Sequence, residues 1–233
     1  MSLEEMKRRA ALAALAYVPE HGVVGLGTGS TVRFFVEAVG ERVRAGARLH
    51  GVATSNASSE LARRSGIPLL DETGPWDIDV CVDGADEVSA ALDLIKGGGG
   101  AHTREKLVNE AARLNVIVVD DRKLSEKLGE RSAVPVEVLP FAHAQTAAKL
   151  SGFGKASLRH AGTEPFRTDS GNFIYDLETG RIDEPAVLDR ALKALAGVVE
   201  TGLFCGRADF VLVATGDGVT RLPAPETSAT LGR

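Results

Sequence analysis

Apolar runs alternate with amphipathic segments through the first half of the chain. The runs at residues 23–26, 49–53, 67–70, 78–82 and 116–119 predict buried β-strands, because each is short and bounded by glycine or polar residues. Helical spacing of apolar positions predicts helices over residues 3–17 and beyond Thr31. Strands that alternate with helices are typical of an α/β fold, so we predict a Rossmann-like, doubly wound and mostly parallel sheet.

The pattern changes after about residue 130. Strand patterns at residues 134–139, 172–177 and 197–204, with helices at 142–151 and 185–195, predict a smaller α+β unit of ferredoxin-like type. The apolar run at 210–214 is predicted to rejoin the first sheet. We therefore expect a Rossmann-like domain from residues 1–129 plus 205–233, and an inserted domain from residues 130–204. Residues 223–233 are polar with two prolines and are predicted to be loose.

Composition excludes several classes of function. The 233 residues are 44% apolar, which is enough for a sizeable core. The net charge of −5 and the lack of a basic cluster argue against a nucleic-acid or anionic-membrane surface. No apolar run approaches a membrane span, and the charged N-terminus is unlike a signal peptide. Cys81, Cys205 and the five histidines show no zinc-like spacing, so a cytosolic, metal-free protein is expected.

The loop after the first strand is rich in glycine and hydroxyl groups. Its sequence, Gly27-Thr28-Gly29-Ser30-Thr31, leads into a helix. Hydroxyls and free backbone N–H groups at a helix start suit a compact phosphate. The spacing is not the G-x-G-x-x-G of dinucleotide sites, and no Walker lysine follows. A structural alternative, compatible with anion binding, is that Ser30 or Thr31 caps the helix.

Acidic residues follow the strand at 78–82. Asp83 and Asp86 come at the strand end where ligands bind in open α/β sheets, which favours function over stability as their role. The structural alternative is that Asp83-Gly84 is simply a turn pair. Another charged turn follows the strand at 116–119, and its Lys123 is either a solvated lysine or a second phosphate-binding cation.

Four consecutive glycines, residues 97–100, lie between Lys96 and a predicted helix. Such a run is costly to order, so it indicates a sharp bend or a close approach of the backbone. We predict Thr103 as the helix N-cap, with Glu105 in the first turn. A carboxylate base near a lysine suits proton abstraction α to a carbonyl, with Lys96 and loop N–H groups holding the developing charge. His102 is interpreted as an exposed residue at the helix start.

Three motifs occur in one order along the chain: Gly27-Thr28-Gly29-Ser30-Thr31, Val82-Asp83-Gly84-Ala85-Asp86-Glu87 and Lys96-Gly97-Gly98-Gly99-Gly100-Ala101-x-Thr103-Arg104-Glu105-Lys106. Together they resemble the type A ribose-5-phosphate isomerase family. The likeness extends from about residue 7 to residue 219 and includes Thr168-Asp169-x-Gly171-Asn172. His102 is a departure, since an aliphatic residue is common there.

The resemblance implies interconversion of D-ribose 5-phosphate and D-ribulose 5-phosphate in the non-oxidative branch of the pentose phosphate pathway, without metal or organic cofactor. It implies that Glu105 is the base that moves a proton between C2 and C1 through a cis-enediolate. Asp83 would assist ring opening, and Asp86 would handle the protons at O1 and O2. Lys96 and the glycine-loop amides would stabilise the enediolate.

The resemblance also implies the substrate contacts. Lys7, Ser30, Thr31 and Lys123 would hold the phosphate. Without the resemblance, Lys7 would be interpreted as a solvated surface lysine, because most lysines are exposed. The remaining implied contacts are Thr28, Gly29, Gly84, Ala85, Gly97, Gly98 and Gly99. The family further implies a cytoplasmic homodimer or dimer of dimers.

Two other classes of function stay open. One is a non-catalytic sugar-phosphate sensor on the same fold, although this chain keeps every acid that the chemistry needs and has no appended helix-turn-helix. The other is a related enzyme, such as an amino-sugar-phosphate deaminase or a coenzyme A transferase. The motif from Lys96 to Glu105 favours the isomerase.

Overall fold

The structure, a computed structural model, describes residues 2–223. The helices in this range are α1 (Leu3–Ala13), α2 (Val32–Arg44), α3 (Asn56–Arg64), α4 (His102–Glu110), α5 (His143–Leu150) and α6 (Pro185–Lys193). The strands are β1 (His21–Leu26), β2 (Arg48–Ala53), β3 (Val80–Asp83), β4 (Glu87–Val88), β5 (Leu94–Ile95), β6 (Asn115–Asp120), β7 (Val134–Val138), β8 (Lys155–Leu158), β9 (His160–Ala161), β10 (Glu164–Pro165), β11 (Phe173–Glu178), β12 (Val198–Thr201), β13 (Leu203–Phe204), β14 (Phe210–Ala214) and β15 (Val219–Pro223).

Six strands form the main sheet in the order β15-β14-β6-β3-β1-β2. Pairing is parallel from β14 to β2, and β15 is antiparallel to β14. The predicted α/β fold with a mostly parallel sheet is therefore confirmed. Since the chain places β2 on one side of β1 and β3 on the other, the sheet has a topological switch point between β1 and β3. Ligands bind beyond the carboxyl ends of the strands at such a point.

Both faces of the main sheet are buried. Val116 and Val118 of β6 pack in a cluster with Phe35 of α2, whereas Ile117 and Val119 pack on the opposite face with Phe204. This arrangement explains why the strands have continuous apolar runs instead of alternating ones. A central sheet covered on both sides leaves its strand ends as the place where polar side chains can gather.

The second half of the chain forms a smaller antiparallel sheet in the order β12-β7-β11-β8. The element order β7-α5-β8-β11-α6-β12 is the βαββαβ arrangement of ferredoxin-like folds. Leu150 of α5 and Leu192 of α6 are buried against this sheet. The domain boundaries at residues 129/130 and 204/205 stay a prediction, and β13, just before the second boundary, pairs with β5.

Two strand predictions are wrong. Within residues 67–70, Leu69 makes one isolated bridge to Gly51, because Pro68 has no N–H group to continue a ladder. Residues 197–204 divide at Gly202 into β12 and β13, which belong to different sheets. The carbonyl of Gly202 accepts a 2.9 Å hydrogen bond from the N–H of Lys96, and a Cβ at residue 202 would overlap the carbonyl oxygen of Lys96.

The end of the described chain also differs from the prediction. The sequence did not predict β15, which follows β14 after a short connection at residues 215–218. Pro223 is the last residue of β15, and the rest of the segment predicted to be loose, residues 224–233, lies outside the described residues. Between residues 2 and 223, every helix is too short or too polar to span a bilayer.

Candidate active site

Loops that follow β1, β3, β5 and β6 meet at the switch point and surround a cavity of about 260 Å³. Every site residue predicted from the sequence lines this cavity except Asp83. The predicted residues in the lining are Lys7, Thr28, Gly29, Ser30, Thr31, Gly84, Ala85, Asp86, Lys96, Gly97, Gly98, Gly99, Glu105 and Lys123. Val32, Asp120 and Arg122 also line the cavity and were not predicted. The signal for Asp120 and Arg122 was available, since both belong to the charged turn after β6.

Lys96 lies at the centre of the site. Its Nζ atom is 3.0 Å from Oδ2 of Asp83 and 3.1 Å from Oε2 of Glu105, and its side chain is 4% exposed. Nζ also donates a 2.6 Å hydrogen bond to the carbonyl of Gly84. Burial alone would lower the pKa of Lys96, but the two carboxylates outweigh burial and raise this pKa above its usual value. Lys96 is therefore a fixed positive charge between two acids.

Glu105 is a buried carboxylate that also lines the cavity. Burial raises its pKa, the positive charge of Lys96 opposes this rise, and the negative charge of Asp83 adds to it. The net result is a pKa above that of an ordinary glutamate. A carboxylate with a raised pKa beside a cavity is typical of a general base or acid.

Asp83 lies behind Lys96, away from the cavity wall. Its Oδ1 atom accepts hydrogen bonds from the N–H groups of Thr28, at 3.1 Å, and of Gly84, at 2.7 Å. Gly27 packs so closely on this carboxylate that a Cβ at residue 27 would overlap it. Asp83 is thus fixed by the loops after β1 and β3. It does not line the cavity itself but contacts Lys96, which does.

The glycine loop bends sharply over the site. Gly97 has φ +106° and Gly100 has φ +81°, in the region that favours glycine, and the N–H of Gly100 donates to the carbonyl of Gly97 over 2.9 Å. The N–H of Gly98 donates to Oδ2 of Asp86 over 2.7 Å. The loop thereby holds Asp86 at the cavity, and its residues Gly97, Gly98 and Gly99 form part of the cavity wall.

The start of α2 also lines the cavity. Thr31 occupies the N-cap position, but its hydroxyl makes no capping hydrogen bond, so the structural alternative for this residue is not observed. Thr28 differs from its neighbours, because its hydroxyl lies 2.7 Å from that of Thr54 and 2.8 Å from that of Ser55. A helix start with free hydroxyls is suited to an anion.

Positive charge accompanies this helix start. Lys7 is half-buried, with a side chain 16% exposed and Nζ 3.7 Å from Glu4, so the interpretation of Lys7 as a solvated lysine is wrong. Lys123 follows β6 and is also half-buried. Burial would raise the pKa of Asp120, but a 2.8 Å hydrogen bond and the charge from Arg122 outweigh burial and lower this pKa.

Two predictions about the start of α4 are wrong. The helix begins at His102, and the Thr103 hydroxyl donates to Glu137 over 2.5 Å instead of capping the helix. His102 is completely buried, and a Cβ at Gly97 would overlap its ring. Burial, assisted by the charge of Lys106, lowers the pKa of His102 to about 3, so the ring is neutral.

Glu137 is a buried acid whose contribution the sequence reasoning missed. Its carboxylate accepts hydrogen bonds from Thr103, Thr168 at 2.9 Å and Asn172 at 2.8 Å. The contact with Thr103 ties β7 to the helix that carries Glu105. The available signal was a glutamate in the middle of an apolar strand, where a charge is retained only if hydrogen bonds satisfy it.

Known proteins match this chain over almost its whole length. The family profile described as Ribose 5-phosphate isomerase A (phosphoriboisomerase A) matches residues 50–218. A Thermomicrobium roseum protein named ribose-5-phosphate isomerase A is 47% identical over 230 residues, covering 97% of each chain. A Deinococcus radiodurans protein of the same name is 42% identical over 225 residues, covering 95% of this chain and 99% of that one.

Solved structures agree with the sequence comparison. A ribose 5-phosphate isomerase A from Methanocaldococcus jannaschii has a TM-score of 0.90 and 40% identity, covering 95% of this chain and all of that one. A D-ribose-5-phosphate isomerase in complex with phospho-erythronic acid has a TM-score of 0.91 and 41% identity, covering 96% of this chain and all of the other. The chain therefore belongs to the ribose 5-phosphate isomerase A family, a family of isomerases.

Proposed function

We propose that this chain interconverts D-ribose 5-phosphate and D-ribulose 5-phosphate through a cis-enediolate, with Glu105 as the general base and without a metal. The observation that carries the proposal is the buried ammonium of Lys96 between Glu105 and Asp83, beside a cavity that ends at a helix start. Family membership supports the same reaction. In a cell, the enzyme would act in the cytoplasm, in the non-oxidative branch of the pentose phosphate pathway.

The phosphate is assigned to the start of α2. Ser30 and Thr31 would donate hydroxyl hydrogen bonds, and Lys7 and Lys123 would balance the phosphate charge. Anchoring the phosphate at this end directs the sugar carbons towards Glu105, which raises the effective concentration of base and substrate. The relative solved with phospho-erythronic acid supports a phosphate-bearing acyclic ligand for this cavity.

Ring opening is assigned to Asp86 and Lys96, assisted by Asp83. Opening the furanose needs a proton removed from O1 and a proton delivered to the ring oxygen. We propose that Asp86 accepts the proton from O1 while the Lys96 ammonium delivers a proton to the ring oxygen, and that the proton on Asp86 is then returned to Lys96. Asp83, which does not line the cavity, sets the charge and orientation of the ammonium. The open-chain aldehyde then has its C2 proton available to Glu105.

The isomerisation moves one carbon-bound proton. Glu105 removes the proton from C2, and the electrons of that bond form the C1–C2 double bond of the enediolate while negative charge develops on O1. Glu105 then returns a proton to C1, and Asp86 transfers the hydroxyl proton of O2 to O1, which leaves the ketone at C2. Lys96 and the N–H groups of Gly97 and Gly99 would stabilise the negative oxygen, while the N–H of Gly98 holds Asp86.

An isotope experiment tests the reaction and its mechanism together. The purified chain is incubated with ribose 5-phosphate and a chelator in D₂O, and the ribulose 5-phosphate is analysed by proton NMR. We expect turnover with deuterium at C1. A product that stays free of deuterium at C1 even after many turnovers at equilibrium would indicate a hydride shift. Loss of turnover with chelator would exclude the metal-free mechanism, and binding without turnover would identify a sensor.

The assembly is a separate expectation. We propose a homodimer or a dimer of dimers, in line with the family resemblance. Light scattering on the eluting peak of a sizing column measures the mass directly. A single 24.4 kDa species at micromolar concentration would contradict this expectation.

A further inference from the structure

Arg159, which follows β8 in the small sheet, reaches across to the glycine loop of the active site. Its Nη1 atom donates to the carbonyl of Gly97 over 2.8 Å and to the carbonyl of Gly98 over 3.3 Å. The chain positions are far apart, and the guanidinium side chain is only 15% exposed. The contact therefore links the small sheet to the residues that border the reacting carbons.

Asp176 holds Arg159 in this orientation. Its carboxylate accepts from Nε of Arg159 over 2.9 Å and from Nη2, so the pair is bidentate. Asp176 lies on β11, and the backbone N–H of Arg159 also donates to Ile174 of that strand over 2.9 Å. Because Nε and Nη2 both bind Asp176, the remaining nitrogen, Nη1, is held in one direction, towards the loop carbonyls.

The planarity of the peptide unit makes this contact relevant to catalysis. In a trans peptide the C=O and the following N–H point in opposite directions. Arg159 holds the carbonyls of Gly97 and Gly98, so the N–H groups of Gly98 and Gly99, two residues that line the cavity, point away from the guanidinium. The bond from the Gly98 N–H to Asp86 confirms this direction for the first of the two peptide units.

Within the loop the N–H of Gly100 also donates to the Gly97 carbonyl, but residues without a Cβ rotate most freely, so a donor from outside the loop is needed to hold both carbonyls. From these contacts we propose that Arg159, oriented by Asp176, is a positioning residue that fixes two peptide units of the glycine loop, so that the N–H of Gly98 holds Asp86 and the N–H of Gly99 meets the enediolate. The small sheet then has a catalytic task as well as a structural one. This inference rests on the proposed isomerisation.

The test separates ground-state binding from stabilisation of the intermediate. For Arg159→Met we expect kcat to fall about 10- to 100-fold, the scale of losing preorganised donors, while KM for ribose 5-phosphate changes less than about threefold. Phospho-erythronic acid, whose planar carboxylate resembles the enediolate oxygens, should bind at least about tenfold more weakly, since it meets the same donors. Inorganic phosphate, which needs only the start of α2, should bind unchanged.

Two further variants guard against loss of folding. Asp176→Asn keeps the arginine but weakens its orientation, so it should lower kcat in the same sense, and the double variant should be less impaired than the product of the single effects. Arg167→Met is the matched control, because Arg167 also donates to a glycine carbonyl, that of Gly171 at 2.9 Å, but lies outside the cavity lining. Its kcat should stay at the level of the unmodified chain.

The outcomes are distinct. If the unmodified chain does not isomerise ribose 5-phosphate, the proposed function fails. If the unmodified chain is active and Arg159→Met and Asp176→Asn match its kcat, the positioning inference is overturned and the function stands. Equal weakening of inorganic phosphate and phospho-erythronic acid binding would also overturn it, because it indicates general disruption of the cavity. If Arg159→Met does not fold, Asp176→Asn decides.

Discussion

The ammonium of Lys96 lies 3.1 Å from the carboxylate of Glu105, and both side chains are almost completely buried. Such a pair is costly to bury, so its retention beside a cavity indicates a role in chemistry. The lysine limits how far burial raises the pKa of the acid, and the acid helps to keep the lysine charged. The pair supplies a base and a positive charge within one contact.

Replacing the proposed base should affect turnover and not binding. We expect Glu105→Gln to lower kcat by at least about 10²-fold, the usual contribution of a general base, with phospho-erythronic acid affinity nearly unchanged. Steady-state kinetics and isothermal calorimetry measure the two quantities. Glu110→Gln is the matched control, because Glu110 ends the same helix with an exposed side chain. A kcat near that of the unmodified chain would remove Glu105 from the mechanism.

The acid side of the pH profile should report Glu105. Its pKa is raised above the ordinary 4.5, and only the ionised form can accept the C2 proton. We therefore expect kcat to fall with decreasing pH, with a midpoint above that value. The kcat profile is the correct measurement, since the substrate phosphate itself titrates near pH 6 and affects kcat/KM. A kcat that stays constant down to about pH 5 is incompatible with a raised pKa.

The catalytic strand ends could be predicted because their signal is local. Apolar runs that stop at Asp83 or at the loop of Gly27 reveal both the strand and its polar end. The interpretation of His102 failed for the opposite reason. Its neighbours Thr103 and Arg104 suggest a solvated helix start, whereas its burial depends on Gly97 folding back over the ring.

Contacts between the two sheets were beyond prediction for a related reason. Arg159 occupies a strand-like segment of the small sheet, and its acceptors Gly97 and Gly98 are 62 and 61 residues away in sequence. No periodicity in either segment encodes that encounter. The contact follows from how β8 and β5 are placed in the folded chain. The sequence alone therefore reveals the glycine loop but not the arginine that contacts it.

Removing one phosphate cation should raise KM. We expect Lys123→Ala to increase KM for ribose 5-phosphate about tenfold, equivalent to about 1.4 kcal/mol of phosphate binding, with kcat reduced less than about threefold. The inhibition constant of inorganic phosphate should increase in parallel. Lys127→Ala provides the control, because Lys127 lies four residues further along the chain, outside the cavity lining, and pairs with the exposed Asp183. Equal KM values for the two variants would exclude Lys123 as a phosphate contact.

The close approach of Gly27 to Asp83 makes residue 27 sensitive to a single methyl group. In Gly27→Ala the Cβ would overlap the carboxylate and Cα of Asp83, so Asp83 would have to shift from the position in which it contacts Lys96. We expect about 1–3 kcal/mol lower stability, the usual cost of overpacking, together with a fall in kcat. Gly216→Ala is the matched change, since no heavy atom lies within 4 Å of a Cβ built there. Urea denaturation and kinetics should distinguish the two variants, and similar values for both would contradict the predicted overlap.

Acid sensitivity of the fold should depend on His102. Its pKa is about 3 in the folded chain against 6.5 for the ordinary side chain, so between these values the unfolded chain binds the extra proton. Stability must then rise with pH in that interval and fall as pH decreases through 6.5. Between pH 7.5 and 5.5 this group should cost about 1.4 kcal/mol of unfolding free energy. His102→Leu removes the titration, so urea denaturation should show a smaller loss for the variant by about that amount. Equal losses for the unmodified chain and the variant would mean that the imidazole titrates in the folded protein as it does in the unfolded chain, and would contradict the lowered pKa.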